Sequence, residues 1–156
     1  MASFTNIGYI SYKIVFQRGI KMDKRSELAL FYLAYQEFSQ KINIIQYDIN
    51  KNQHRILFLT DYLDVPTIKS VLAIMRISKQ AFNKLYRNLH ERKLIDTRAL
   101  EEDKRVKVLI LTDLGKQVIT KINQEQASNL EVLLHKNNNN WQKVLSEMAN
   151  NYLRDI

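Results

Sequence analysis

Asp103 and Arg105 stand two residues apart in the stretch LEEDKRVKVLILTDLG, Leu100 to Gly115. A carboxylate and a guanidinium at that spacing can join through two parallel N–H···O bonds, which fixes the direction in which the arginine points. The same pair can also be an ordinary surface ion pair worth roughly 0–1 kcal/mol. A second set lies upstream: Ser78, Lys79, Gln80, Asn83, Lys84 and Arg87. Helical spacing puts these on the N-terminal end or outer side of a segment whose Phe82, Leu85 and Leu89 face inward. Their chemistry is recognition, not bond making. Gln80 and Asn83 each offer a paired donor and acceptor, while hydroxyls and cations suit anionic oxygens. A solvated helix face has the same periodicity.

Catalysis has little to work with. Cys is absent, which removes thiolate nucleophiles, Cys-ligated zinc, disulfides and thiol redox sensing. His54, His90 and His135 are far apart and form no i,i+4 pair, and three glycines leave little for a phosphate loop. Glu101, Glu102 and Asp103 could mimic a catalytic or metal cluster, but a charge run without histidine partners reads as a hydrated loop tip. No enzymatic activity, cofactor or metal is expected.

Charge points to a polyanion. The 156 residues carry a net +8, and the segment Thr67–Lys116 holds twelve basic and six acidic side chains, so most of the excess lies there. Nucleic acid, acidic membrane surfaces and acidic proteins all remain open on charge alone. No apolar run approaches membrane-spanning length, and the first residues make a poor signal peptide, so a cytoplasmic location is expected.

These side chains need elements to position them. Asp23–Tyr47 has no Gly or Pro, and Leu28, Phe31, Tyr35, Phe38, Ile42 and Ile45 recur at helical steps, which predicts one long amphipathic helix. Asn50 with Gln53 reads as a capping box opening a second helix that ends near Pro66. Thr67 caps the helix of TIKSVLAIM, and Ser78, with the Ile77–Phe82 staple, caps the next, running to about Lys93. Two helices joined by a turn at Arg76-Ile77 have helix-turn-helix spacing. An extended segment to Ala99 and a strand over Val106–Leu111 make a hairpin around LEEDK. Thr112 caps a further helix with Val118, Ile119, Ile122, Leu130, Leu133 and Leu134 on its apolar side. NNNN at 137–140 is a turn, and Trp141, Val144, Leu145, Met148, Tyr152 and Leu153 stripe the last helix. At the N-terminus, alternation at Ile10, Tyr12, Ile14 and Phe16 allows a short strand or arm, and MDKRSELAL from Met22 reads like a natural start. Residues 1–22 are therefore expected to be an extension of one domain over 23–156.

Helix-turn-helix followed by a hairpin is a winged helix, and here the sequence resembles the MarR (multiple antibiotic resistance regulator) family. The resemblance rests on NKNQHRILFLTDYL, on TIKSVLAIMRISKQAFNKLYRNLHERKLI and on EEDKRVKVLILTDLGKQV, with Asp103-x-Arg105 and Leu111-Thr112-x-x-Gly115 its most specific part. It implies a mainly α fold with a small β-hairpin wing. Residues 50–112 would form the winged helix-turn-helix DNA-binding region, flanked by dimerisation helices over 23–49 and 113–156. Double-stranded DNA would be the partner of a homodimer that regulates transcription. Gln80 and Asn83 would read bases, and Arg87 bases or phosphates. Ser78, Lys79 and Lys84 would hold phosphates, Thr67 and Lys69 would touch the backbone, and Arg105 with Lys104 and Lys107 on the wing would enter or flank the minor groove, aimed by Asp103. A small-molecule effector belongs to the family's usual logic, and no residue here names one. A non-sequence-specific architectural DNA binder and a protein-interaction winged helix stay open as alternatives.

Departures from the family pattern carry expectations of their own. Arg76 and Lys93 stand where glycine is usual, so Arg76 is expected to take whatever angle the turn demands, a left-handed one included. Leu72 stands at a small-residue position, with Ala73 next to it. Thr97 stands where a basic residue is usual, with Arg98 next. Val106, Val108 and Ile110 occupy the face of the wing strand that is usually polar, which predicts an apolar outer face.

Overall fold

The computed structural model describes residues 24–154. The expected N-terminal extension, the alternation at Ile10 to Phe16, residue Asp23 and the side chain of Leu153 lie outside the described residues. The elements in order are α1 (Lys24–Gln40), a 3-10 turn (Ile45–Tyr47), α2 (Lys51–Tyr62), α3 (Ile68–Met75), α4 (Lys79–Glu91), β1 (Ile95–Ala99), β2 (Lys107–Leu111), α5 (Asp113–Lys136) and α6 (Trp141–Arg154). They pack as two compact units. One comprises Asn43–Glu125; the other joins the described residues up to 42 with those from 126 onward. The fold is mainly helical with one small antiparallel hairpin.

Within the first unit the local caps form where side-chain chemistry calls for them. Asn50 Oδ1 accepts from the Gln53 N–H at 2.9 Å and Gln53 Oε1 accepts from the Asn50 N–H at 2.8 Å, a complete capping box. Ser78 Oγ accepts from the Ala81 N–H at 3.1 Å and opens α4. The core gathers Ile56, Leu57, Val71, Met75, Phe82, Leu89, Ile95, Leu109, Ile119 and Ile122. Each large side chain buried there is worth on the order of 1.5–3 kcal/mol.

Three features depart from the sequence-based expectation. The helix expected over 23–47 ends at Gln40. The chain then turns through Ile45–Tyr47 with Ile44 and Ile49 buried, and Asp48 is left-handed. Arg92 closes this turn by donating to the carbonyls of Tyr47 at 2.6 Å and Asp48 at 2.5 Å. Second, the wing strand starts at Lys107, because Val106 belongs to the tip, where its N–H donates to the Asp103 carbonyl. Third, Val108 does not face outward but is 3% exposed. The Pro66–Thr67 segment runs along the outer edge of β2: Thr67 bridges Val108, and the Leu109 N–H donates to the Pro66 carbonyl at 2.9 Å.

The second unit packs α1 on α6. Ala34, Val144 and Met148 form its core, with Leu130, Leu133, Leu134 and Leu145 against it. The face of α1 turned inward is Leu30, Ala34 and Glu37, whereas Leu28, Phe31 and Tyr35 of the expected apolar side are exposed, as is Tyr32 beside them. Asn138 and Asn139 take left-handed angles before α6, as a turn there requires, and Asn140 Oδ1 accepts from the Lys143 N–H to start that helix.

Candidate nucleic-acid interface

Every side chain singled out for recognition falls within the Asn43–Glu125 unit. α4 is held by Phe82 and Leu89, both buried. That leaves Lys79, Gln80, Asn83, Lys84 and Arg87 exposed. They do not all look the same way. Lys84 lines a groove toward the start of α2 with Asn52, Gln53 and Asn88, and Gln53 Nε2 donates to Asn88 Oδ1 at 2.6 Å. Asn88 is thus engaged in packing α2 against α4, while Gln80, Asn83 and Arg87, spaced by three and four residues, share the outer side.

The turn before α4 carries a cost. Arg76 has φ 53° and ψ 42°, the left-handed region, and Lys93 after α4 has φ 55°. A side chain there is disfavoured by roughly 1–2 kcal/mol relative to the right-handed form. The expectation for Arg76 is met, and both strained positions present a positive, exposed side chain.

Thr67 and Ser70 hold the start of α3. The Thr67 hydroxyl accepts from the Ser70 N–H at 3.0 Å and lies 2.9 Å from Ser70 Oγ, which itself donates to the Thr67 carbonyl at 2.8 Å. The Thr67 side chain is therefore committed to the cap, and Lys69 is the exposed group at this end.

The wing tip shows the pairing its spacing allows. Arg105 Nε donates to Asp103 Oδ1 at 3.1 Å and Nη2 to Oδ2 at 3.4 Å, while the Arg105 N–H reaches Oδ1 at 3.0 Å. Those side-chain and backbone bonds from Arg105 hold the Asp103 carboxyl below its ordinary pKa. The Arg105 side chain is 91% exposed, so its fork is oriented by one partner and otherwise open to the outside. Lys104 and Lys107 are exposed beside it. Arg98, exposed on β1 opposite Val108, adds a positive group that family spacing alone places at Thr97. Arg92, counted with the basic residues of this segment, is instead occupied with the carbonyls before α2.

The wing and α4 are tied together at their bases. Thr112 Oγ1 donates to the Lys93 carbonyl at 2.5 Å and accepts from the Gly115 N–H at 3.0 Å, and the Thr112 N–H donates to the Leu94 carbonyl. A Cβ on Gly115 would stand 1.8 Å from the Leu94 oxygen, so only glycine lets α5 start this close to the end of α4.

No protein-family model and no curated protein matches the sequence. Solved structures do match. A MepR variant from a multidrug-resistant S. aureus clinical isolate superimposes with a TM-score of 0.62 at 21% identity, over 75% of this chain and 85% of that one. Wild-type MarR from E. coli in its apo form gives 0.60 at 18% identity, over 76% and 87%. Transcriptional regulator Tm0710 from Thermotoga maritima gives 0.59 at 16% identity, over 73% and 81%. The fold is the MarR winged helix. In that fold α3 and α4 are the helix-turn-helix and β1–β2 the wing, so Gln80, Asn83 and Arg87 lie on the second helix of the motif and Arg105 at the wing tip. Among the described residues, no MarR-fold helix is long and apolar enough to cross a membrane, and no group of three or more His, Asp or Glu side chains is placed to hold a metal ion.

Proposed function

We propose that the chain is a sequence-specific double-stranded DNA-binding regulator of transcription, without enzymatic activity, that acts as a homodimer on a pseudo-palindromic operator. The observation that carries this reading is the pairing, in one unit, of an outward Gln80–Asn83–Arg87 edge on α4 with an Asp103-oriented, exposed Arg105 on the wing. With α4 in the major groove, Gln80 and Asn83 can each pair bidentately with adenine, and Arg87 with guanine or a phosphate. Ser78, Lys79, Lys84 and Lys69 neutralise phosphates, and the Thr67 cap holds the α3 N-terminus at the backbone. Arg105 enters the minor groove where narrowness concentrates negative potential, and Lys104 and Lys107 flank it.

Dimerisation is supported by a face of α1 that the described residues leave uncovered. Leu28, Phe31, Tyr32 and Tyr35 are 71%, 62%, 61% and 65% exposed, and Trp141 on α6 is 55% exposed. The four α1 side chains recur at three- and four-residue steps on one side of the helix, and an exposed apolar strip of this kind marks an association site. Two copies related by a two-fold axis would set their α4 helices about one DNA turn apart, roughly 34–36 Å.

Selection of bound sequences from random duplex DNA tests the whole reading. An inverted repeat with half-sites one turn apart is the expected outcome. Salt-dependent binding without enrichment would instead make the protein an architectural DNA binder. Absence of binding at low salt would leave a protein-interaction winged helix.

A further inference from the structure

The helical unit forms a half-open cavity of about 240 Å³ between α1, the C-terminal part of α5 and α6. Phe38, Leu130, Leu133 and Met148 give it apolar walls, and Glu37 and Lys41 line it as well. Its volume falls just below the ~300–1,000 Å³ of sites for drug-sized ligands, so an occupant is small.

Glu37 is the unusual member. It sits on the buried face of α1 and is only 3% exposed. Among the described residues its ion-pair partner is Lys41, whose Nζ stands 2.5 Å from Oε1 but outside the direction of a hydrogen bond. A carboxylate offers about four acceptor positions, and taking it out of water is costly unless they are filled. Lys41 fills them poorly, and its own side chain is 54% exposed. The ammonium can therefore return to water on its flexible stem while Glu37 stays where the fold holds it.

We infer that this cavity binds a small organic cation, an ammonium carried on an apolar body, with Glu37 as its counter-charge. Such a ligand replaces Lys41 at the carboxylate and buries its hydrocarbon against Leu130, Leu133 and Met148. An organic anion meets the Glu37 charge head-on, and a neutral isostere leaves the carboxylate as it was. The inference stands apart from the DNA-binding reading, since neither α4 nor the wing contributes to the cavity.

Methyl NMR of the full chain with labelled methionines tests it, because Met148 lines the cavity and Met75 lies in the core of the other unit. Titration with benzylammonium should shift Met148 saturably and leave Met75 in place. Benzyl alcohol and benzoate should bind at least about tenfold more weakly. Glu37→Gln should abolish that preference, and Lys41→Ala, which removes the competing ammonium, should tighten benzylammonium by about threefold or more. A Met148 signal that does not respond overturns the inference, as it would if a second copy of the chain filled the cavity. Equal affinity for the three probes, or a preference that survives Glu37→Gln, overturns it as well.

Discussion

At the scale of single residues, two side chains carry the sharpest expectations. Arg105→Ala should weaken DNA binding by about 1–3 kcal/mol and lower the salt slope by about one charge; an anisotropy titration at several salt concentrations that shows neither change would remove Arg105 from the interface. The pairing that orients it persists under mild acid, because Arg105 keeps the Asp103 carboxyl charged below the usual carboxylate range. His54 behaves in the opposite sense. It is buried in α2, its Nε2 has no hydrogen-bond partner among the described residues, and desolvation pushes its pKa below the ordinary histidine value. The folded state thus resists a proton that the unfolded chain accepts, so stability falls as pH drops below the ordinary histidine value. Urea midpoints should decrease between about pH 7 and about pH 5.5 in the parent, and this dependence should shrink in His54→Gln. A parent midpoint that is flat over that window would contradict the assignment.

Elements were readable where their determinants are local. Asn50, Thr67, Ser78 and Thr112 all form the caps their sequence context predicts, because capping joins a side chain to a backbone group three residues away. The same holds for Asp103 and Arg105, which lie on one short loop. What could not be read depended on distant chain. α1 stops at Gln40, and the segment after it is secured by Arg92, more than forty residues on. The burial of Val108 depends on Pro66 and Thr67 lying along β2. Periodicity found the apolar side of α1, but packing used the Leu30–Ala34–Glu37 side instead. The Thr112–Gly115 junction was legible as a motif without its reason, which is the contact with the Leu94 carbonyl. Gly115→Ala should therefore destabilise the fold by about 1–3 kcal/mol or more, seen as a lower urea midpoint. An unchanged midpoint would show that α5 can move away from α4 without loss.

For the whole molecule, the expectation concerns association. Replacing Phe31 and Tyr35 together by glutamate (Phe31→Glu, Tyr35→Glu) puts two charges on a face that the described residues leave exposed. If that face joins two copies, sedimentation should report a monomer while the circular dichroism of the helices is retained. An unchanged mass would place the dimer contact elsewhere. DNA affinity should fall with the dimer, because each half-site then binds alone and the effective concentration of the second reading head is lost.

The Pro66–Thr67 strip beside β2 has a further consequence, for solubility. VKVLIL, Val106 to Leu111, combines strong β propensity with a single charge, the composition of a segment that pairs with copies of itself. β1 occupies one edge of β2, and the strip carrying the chain's only proline shields the other. The remaining edge, on β1, bears Asp96 and Arg98, a charged border of the kind that discourages sheet-to-sheet growth. Loosening the α2–α3 connection, for example with Pro66→Gly, should therefore show first as turbidity on heating, at temperatures where the helices are still intact. Loss of helix before any light scattering would show that the strip does not guard this edge.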